Sequence, residues 1–406
     1  MHNQLPNLFL AILIFFSLAS ASGNTIQRGD ILSQLRPRAF QAPSPDVNVS
    51  TWLPMSRDKH GMNTHSFAFL DAHRRGRYGL SPLKSVQLGQ AWYTPIQVGG
   101  KTYNLLVDTG SSDTWIAAKD FKCFGESEDV VPQADCAFGP LYKPGREFEP
   151  IKNVNFNIFY GDGAFFRGSY GMAKVTLGGI TVRQQIALAS EAGTVGDGIS
   201  SGYLGLSYPS ITYAFKGTNY SADAPENQLP YNPIFTTMYE QHKIAPVFSM
   251  AINRPSIPPN GAPEGYLALG GLAPVSTTGQ WARTDIEVPV GGSYYINGSL
   301  PYPQLPNQVA SLFNPPAVWN ESVYGYSVPC DAVVPQIAVK IGSVILPWDK
   351  RDLIMPEFPY SGGCVSGINN GQDYQAYTLG ATFMRSNLVV YDVGAAEMRI
   401  RSRGNY

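Results

Sequence analysis

The chain has 406 residues, 44% of them apolar and 15% charged, with 41 glycines, 32 prolines, four cysteines and five histidines. That length predicts two lobes plus processed segments, and so many glycines and prolines with so few charges fit a loop-rich β protein better than helices or disorder. A formal net charge of −1 without a basic block argues against a nucleic-acid partner, and the absence of His-Glu-x-x-His and Cys-x-x-Cys argues against a zinc hydrolase, a structural zinc site or a redox dithiol, so no metal or cofactor is expected.

In chain order, Leu8 to Leu18 is almost wholly apolar and is followed by the small-x-small run Ala19-Ser20-Ala21. This reads as a secretory signal peptide over residues 1–21, although its first residues hold no Lys or Arg. An uncleaved anchor helix is the competing reading, but the apolar run is too short to favour it. Residues 22–77 carry eight Lys/Arg, four Asp and three histidines, and end in Arg74-Arg75-Gly76-Arg77. A removable propeptide cut near Arg77 fits; a basic linker is the bland alternative. Removing both segments lowers Lys+Arg from 29 to 21 and Asp+Glu from 30 to 26, leaving a body at −5 with His242 as its one histidine. A basic leader on an acidic body predicts docking that weakens as carboxylates protonate.

The body reads as short strands joined by glycine turns. Hairpins are expected at Ile96–Val98/Lys101–Tyr103 around Gly99-Gly100, at Val175–Leu177/Ile180–Val182 around Gly178-Gly179, and at Ile337–Ile341/Val344–Leu346 around Gly342-Ser343. Ile234 to Gln241 is one short helix candidate, and the Pro/Gly-rich run Pro255 to Gly265 is a surface loop near the lobe boundary. The expected lobes are 78–260 and 261–406. Four cysteines allow three connectivities; Cys123–Cys136 with Cys330–Cys364 is favoured because it closes short loops within each lobe. Asn219, Asn297 and Asn320, with Asn48 in the leader, begin Asn-x-Ser sequons, each a weak glycosylation signal by itself.

The run Leu105-Leu106-Val107-Asp108-Thr109-Gly110-Ser111-Ser112-Asp113-Thr114-Trp115 carries the chemistry. An apolar strand delivers a carboxylate into a Thr-Gly turn, where Ser111 can donate to Asp108. This run resembles the first active-site motif of the pepsin-like aspartic proteases, and further matches keep order over nearly all of residues 88–406. Tyr160-Gly161-Asp162-Gly163 resembles the family's flap, whose tyrosine closes over bound peptide and meets the motif tryptophan, here Trp115; taken alone, an aromatic before a turn is more often simple packing. Gly202-Tyr203-Leu204-Gly205 resembles the element crossing behind the first motif, and Tyr377-Thr378-Leu379-Gly380 its counterpart in the second lobe. Gly265-Tyr266-Leu267-Ala268-Leu269-Gly270-Gly271 and the spacing of Cys330 and Cys364 also fit. The overall character is that of secreted fungal members.

The resemblance implies an all-β, bilobal, pepsin-like double β-barrel with a peptide-binding cleft between the lobes. It implies hydrolysis of peptide bonds at acid pH by two aspartates sharing a proton, one taking a proton from water and the other polarising the carbonyl. Asp108 is the catalytic candidate, supported by Thr109, Gly110, Ser111 and Trp115. Expected partners are polypeptide substrates or peptide ligands, plus the chain's own propeptide, with the protein a monomer. Secretion is expected, with a vacuolar destination as the alternative.

The C-terminal half departs from the pattern. Asp285, Asp331, Asp349, Asp352, Asp373 and Asp392 are not followed by Thr-Gly or Ser-Gly. Where the second motif belongs, the text is Tyr294-Tyr295-Ile296-Asn297-Gly298-Ser299-Leu300. Gly298 and Ser299 read as the tail of that motif, with a few tens of residues missing before Gly298; Asn297 as a degenerate aspartate is the lesser alternative. As written, the chain is expected to have little or no peptidase activity. The leading reading is an endopeptidase shortened by a wrong exon boundary. The alternative is a catalytically dead, inhibitor-like binding protein on the same scaffold. A homodimeric retroviral-type protease is disfavoured, because those subunits supply one lobe each. Gly198-Ile199-Ser200-Ser201-Gly202 matches the serine-hydrolase pattern Gly-x-Ser-x-Gly but lacks its strand-turn-helix context.

Overall fold

The structure, a computed structural model, describes Ser17–Leu18 and residues 78–86, 89–125, 129–160, 163–255, 261–287, 295–296, 305–323, 325–356, 363–369 and 377–404. The architecture is bilobal and all-β, as expected. A ten-stranded sheet builds the N-terminal lobe. Its order runs Ala214–Lys216, Glu149–Phe159, Phe165–Leu177, Ile180–Gly193, Thr114–Phe124, Gly202–Gly205, Lys101–Asp108, Ala91–Val98, Lys84–Val86, with Val130–Val131 paired to Thr114–Phe124.

The three glycine turns form as expected. Gly99 and Gly100 sit at φ 59° and 81°, and Gly178 and Gly179 at 57° and 81°. Two consecutive positive φ values are what a two-residue hairpin turn needs, and glycine adopts them without strain. Ala338–Ile341 pairs with Val344–Pro347 around Gly342. The short helix also forms, over Ile234–Glu240, burying Ile234, Phe235 and Met238 on one face.

A second, nine-stranded sheet is built mostly from the C-terminal half of the chain. Its central strands Val247–Ile252 and Asn387–Asp392 are buried at every position. They are mostly apolar on both faces because both faces are covered, with Ser249, Asn387 and Asp392 as the polar exceptions. Phe248, Met250 and Tyr391 face the main core, while Val247, Ala251 and Val390 face a second cluster with Ala268 and Leu388. Val247–Ile252 and Gly265–Leu269 form a hairpin, so the expected boundary at 260/261 falls in its loop. A third, smaller core of Ala310, Phe313, Ala317, Tyr326, Val328 and Leu353 lies in the C-terminal lobe.

The two disulfides are Cys123–Cys136 and Cys330–Cys364, the favoured connectivity. At the far edge of the second sheet, Ser17–Leu18 lies between Tyr295–Ile296 and Tyr377–Thr378.

Candidate active site

The strand Lys101–Asp108 carries its aspartate to the end of a fully buried run, Leu105 to Val107. Gly202–Gly205 runs parallel to it, placing Gly205 opposite Asp108. A Cβ on Gly205 would lie 2.4 Å from the Ser112 carbonyl carbon, so only glycine lets this strand cross behind the turn. Backbone bonds from Leu206 to the Asp108 carbonyl and from Ser207 to the Ser111 carbonyl, each 2.9 Å, then fix the turn.

The Asp108 carboxylate accepts from the Gly110 amide at 2.7 Å and from the Ser111 hydroxyl at 2.6 Å. It is 6% exposed. Burial raises its pKa, and the Ser111 and Gly110 donors oppose that rise. Thr109 is fully buried, with the Tyr391 hydroxyl donating to its Oγ1 at 3.5 Å. This contact joins the first motif to the central strand Asn387–Asp392 of the other sheet.

Trp115 is fully buried, and its indole N–H donates to the Tyr160 hydroxyl at 3.0 Å. The Tyr160 hydroxyl is raised well above its ordinary pKa by burial first and by the nearby Asp108 charge second. Tyr203 stacks on Trp115 at 5.1 Å and lies 5.1 Å from Tyr160, so both rings share one aromatic wall. Gly163, at φ 88°, closes the hairpin by donating to the Tyr160 carbonyl. Gly161 and Asp162 lie outside the described residues, as do Asn297, Gly298 and Ser299.

Three of the C-terminal aspartates are held in ion pairs. Asp352 pairs with Arg254 at 2.8 Å and Arg385 at 3.7 Å, Asp349 with Arg254 at 3.2 Å and Arg351 at 2.5 Å, and Asp392 with Arg399 at 3.2 Å. Asp331 is exposed, Asp285 lies on a strand opposite Glu397, and Asp373 is outside the described residues. The Gly-x-Ser-x-Gly run forms no triad among the described residues. Ser200 Oγ donates to Asp197, whereas His242 is exposed in the turn after the helix. Asn219 is exposed and caps a short turn at Ser221, while the Asn320 amide nitrogen donates to Ser327 Oγ at 2.9 Å.

Sequence reasoning missed Asp113. Its carboxylate is fully buried and accepts from the Tyr170 and Tyr231 hydroxyls, both at 2.7 Å, and from the Tyr213 amide at 2.8 Å. An acidic residue next to an apolar strand was the available signal.

The family model for eukaryotic aspartyl proteases matches residues 91–299 and 302–402. A probable aspartic-type endopeptidase of Aspergillus fumigatus is 35% identical over 444 residues, covering 98% of this chain and 99% of that protein. Penicillopepsin-3 of Penicillium janthinellum is 24% identical over 414 residues, covering 97% of this chain and 98% of that protein. The crystal structure of an aspartic proteinase from Irpex lacteus superposes with a TM-score of 0.59 at 18% identity, over 80% of this chain and 98% of that one. The chain belongs to the pepsin-like eukaryotic aspartyl protease family.

Proposed function

We propose that this chain derives from a secreted endopeptidase that cleaves peptide bonds at acid pH, and that its sequence lacks the second catalytic aspartate. Asp108 is then the surviving half of the dyad. Its two oxygens are oriented by the Gly110 amide and the Ser111 hydroxyl, ready to take a proton from an attacking water. The second carboxylate would polarise the scissile carbonyl and return the proton. Tyr160, backed by the buried Trp115, presents the wall against which a peptide lies.

One observation carries the proposal of a gap: the family-model match stops at residue 299 and resumes at 302. The break comes directly after Gly298-Ser299, the expected tail of the second motif, one residue beyond the expected gap before Gly298. The length of the Aspergillus alignment supports it: 444 residues against a chain of 406 leave at least 38 positions with no residue of this chain opposite them. The sheet order supports it too. In the N-terminal lobe the strand of Asp108 lies directly against Gly202–Gly205. Beside Tyr377–Thr378, the expected counterpart of Gly202–Gly205, no Asp-bearing strand lies among the described residues; its neighbour is Ser17–Leu18, paired antiparallel.

Losing one acid–base partner removes roughly 10²–10⁴-fold in rate, and losing the unit can remove more. The chain as written therefore has little or no peptidase activity. A transcript read across codons 290–310 tests the gap: an inserted Asp-Thr/Ser-Gly supports it, and clean colinearity ends it. Robust pepstatin-sensitive turnover by the 406-residue chain at acid pH would contradict its inactivity. The retained wall of Trp115, Tyr160 and Tyr203 favours a second reading, a peptide-binding protein without turnover, distinguished by measurable peptide affinity with no hydrolysis.

The signal peptide over 1–21, the propeptide over 22–77 and export of the body are part of the proposal. Two disulfides and the exposed sequon at Asn219 are in keeping with an oxidising route. No helix among the described residues is long and apolar enough to cross a membrane.

A further inference from the structure

The hairpin that carries Tyr160 is held on two faces. On the inner face Tyr160 meets Trp115, Tyr203 and Phe166. On the outer face stands Arg167. Strand register sets Arg167 opposite Asn157 on one side and Glu191 on the other, at a bulge where Ser190 is extra.

The Arg167 guanidinium lies 4.7 Å from the Phe165 ring centroid, 5.5 Å from Phe159 and 5.7 Å from Tyr220. Its Nε donates to Asn157 Oδ1 at 3.4 Å, and it pairs with Glu191 at 3.8 Å. Phe159 and Phe165 are the last cross-strand pair before the turn. Gly193 leaves room for them: a Cβ there would lie 2.0 Å from the Phe165 ring. One planar cation thus touches both strands of the hairpin stem, the neighbouring strand Ile180–Gly193, and the short turn Tyr220–Ala222. Arginine suits this place because its flat face stacks on rings while its edge donates; lysine supplies only a point charge.

We infer that Arg167 is a positioning residue for the flap: it braces the hairpin stem from outside and so holds Tyr160 against Trp115 and above Asp108. Its effect on ligand binding rests on the peptide-cleft reading above, while its effect on the hairpin does not.

The test compares Arg167→Met and Arg167→Lys with the unmodified chain. Hydrogen exchange is followed at the hairpin, residues 155–166, and at the strand Ile180–Gly193. Arg167→Met should speed hairpin exchange about tenfold and leave the neighbouring strand unchanged, with Arg167→Lys between. Pepstatin affinity, read by calorimetry, should weaken about tenfold in Arg167→Met and recover partly in Arg167→Lys. Unchanged hairpin exchange overturns the inference. So does equal loss of protection across both segments, which marks a general packing role. If the unmodified chain fails to bind pepstatin, which the missing second aspartate accommodates, the exchange result alone decides the brace.

Discussion

The indole N–H of Trp115 donates to the hydroxyl of Tyr160 across 3.0 Å, joining the strand after the first motif to the hairpin above it. Trp115 is fully buried and packs against Phe166 and Tyr203, with ring centroids at 4.0 and 5.1 Å. Tyr160→Phe keeps the ring and strands the indole N–H without its acceptor. An unsatisfied buried donor costs about 1–3 kcal/mol. The expected outcome is a melting point lower by roughly 2–6 °C for a chain of this size, with peptide affinity weakened about tenfold. Calorimetry on the two proteins checks both; an unchanged melting point would count against the bond as a support for the hairpin.

Asp108→Asn separates chemistry from stability. Burial raises the Asp108 pKa, so the native state holds its proton more tightly than the unfolded state does. Stability from that proton is present at acid pH and is lost as pH rises through the native pKa. Asparagine carries no charge and can still accept from Gly110 while offering its amide to Ser111 Oγ. The variant should match the parent near pH 3 and be the more stable of the two at pH 7. Denaturant midpoints at both pH values decide it, and greater stability of the parent at pH 7 would contradict the assignment. In a chain restored to two aspartates, the same change should lower turnover by at least roughly 10²-fold.

Local chemistry was legible in the sequence, and long-range contacts were not. The run Asp108 to Trp115 announces itself because carboxylate, turn glycine and hydroxyl are neighbours. The Gly99-Gly100 and Gly178-Gly179 hairpins announce themselves because their turn chemistry is local. Asp113 sits in the same run, yet its partners Tyr170, Tyr213 and Tyr231 are 57, 100 and 118 residues away. Thr109 meets Tyr391 across 282 residues. No periodicity marks such pairings. The loop Pro255 to Gly265 likewise looks like a boundary, although Phe248↔Leu269 and Ile252↔Gly265 are paired across it in one sheet.

The two disulfides should yield to reductant in order. Cys123 and Cys136 are 2% and 0% exposed, whereas Cys330 is exposed and Cys364 half-buried. Reduction requires a thiolate to reach a sulfur, so Cys330–Cys364 reacts first. It also closes the longer loop, 34 residues against 13. Loop entropy gives it about 4 kcal/mol, against about 3 kcal/mol for Cys123–Cys136. Its loss falls on the small core of Phe313, Tyr326 and Leu353. Mild reductant should therefore expose two alkylatable thiols in the C-terminal lobe and lower a C-terminal melting transition. Mass spectrometry that found Cys123 and Cys136 alkylated first would reverse the order.

Asp113 should make the N-terminal lobe acid-stable. Its pKa is pushed from 3.8 up to about 6 by burial, against three donors that favour the charged form. Between about pH 4 and pH 6 the unfolded chain has released this proton and the native chain still holds it. Stability therefore falls as pH rises through that window, by about 3 kcal/mol from this residue. Asp113→Asn removes the titration, and the geometry tolerates it: the amide oxygen can accept from Tyr213 while the amide nitrogen donates to the Tyr170 and Tyr231 hydroxyls. Urea midpoints measured every half unit from pH 3.5 to 7 should slope downward for the parent and flatten for the variant. Because the aromatic wall of Trp115 begins two residues after Asp113, its fluorescence should follow the same window. A parent profile that is flat, or that rises toward pH 6, would show that the tyrosine donors outweigh burial at this site.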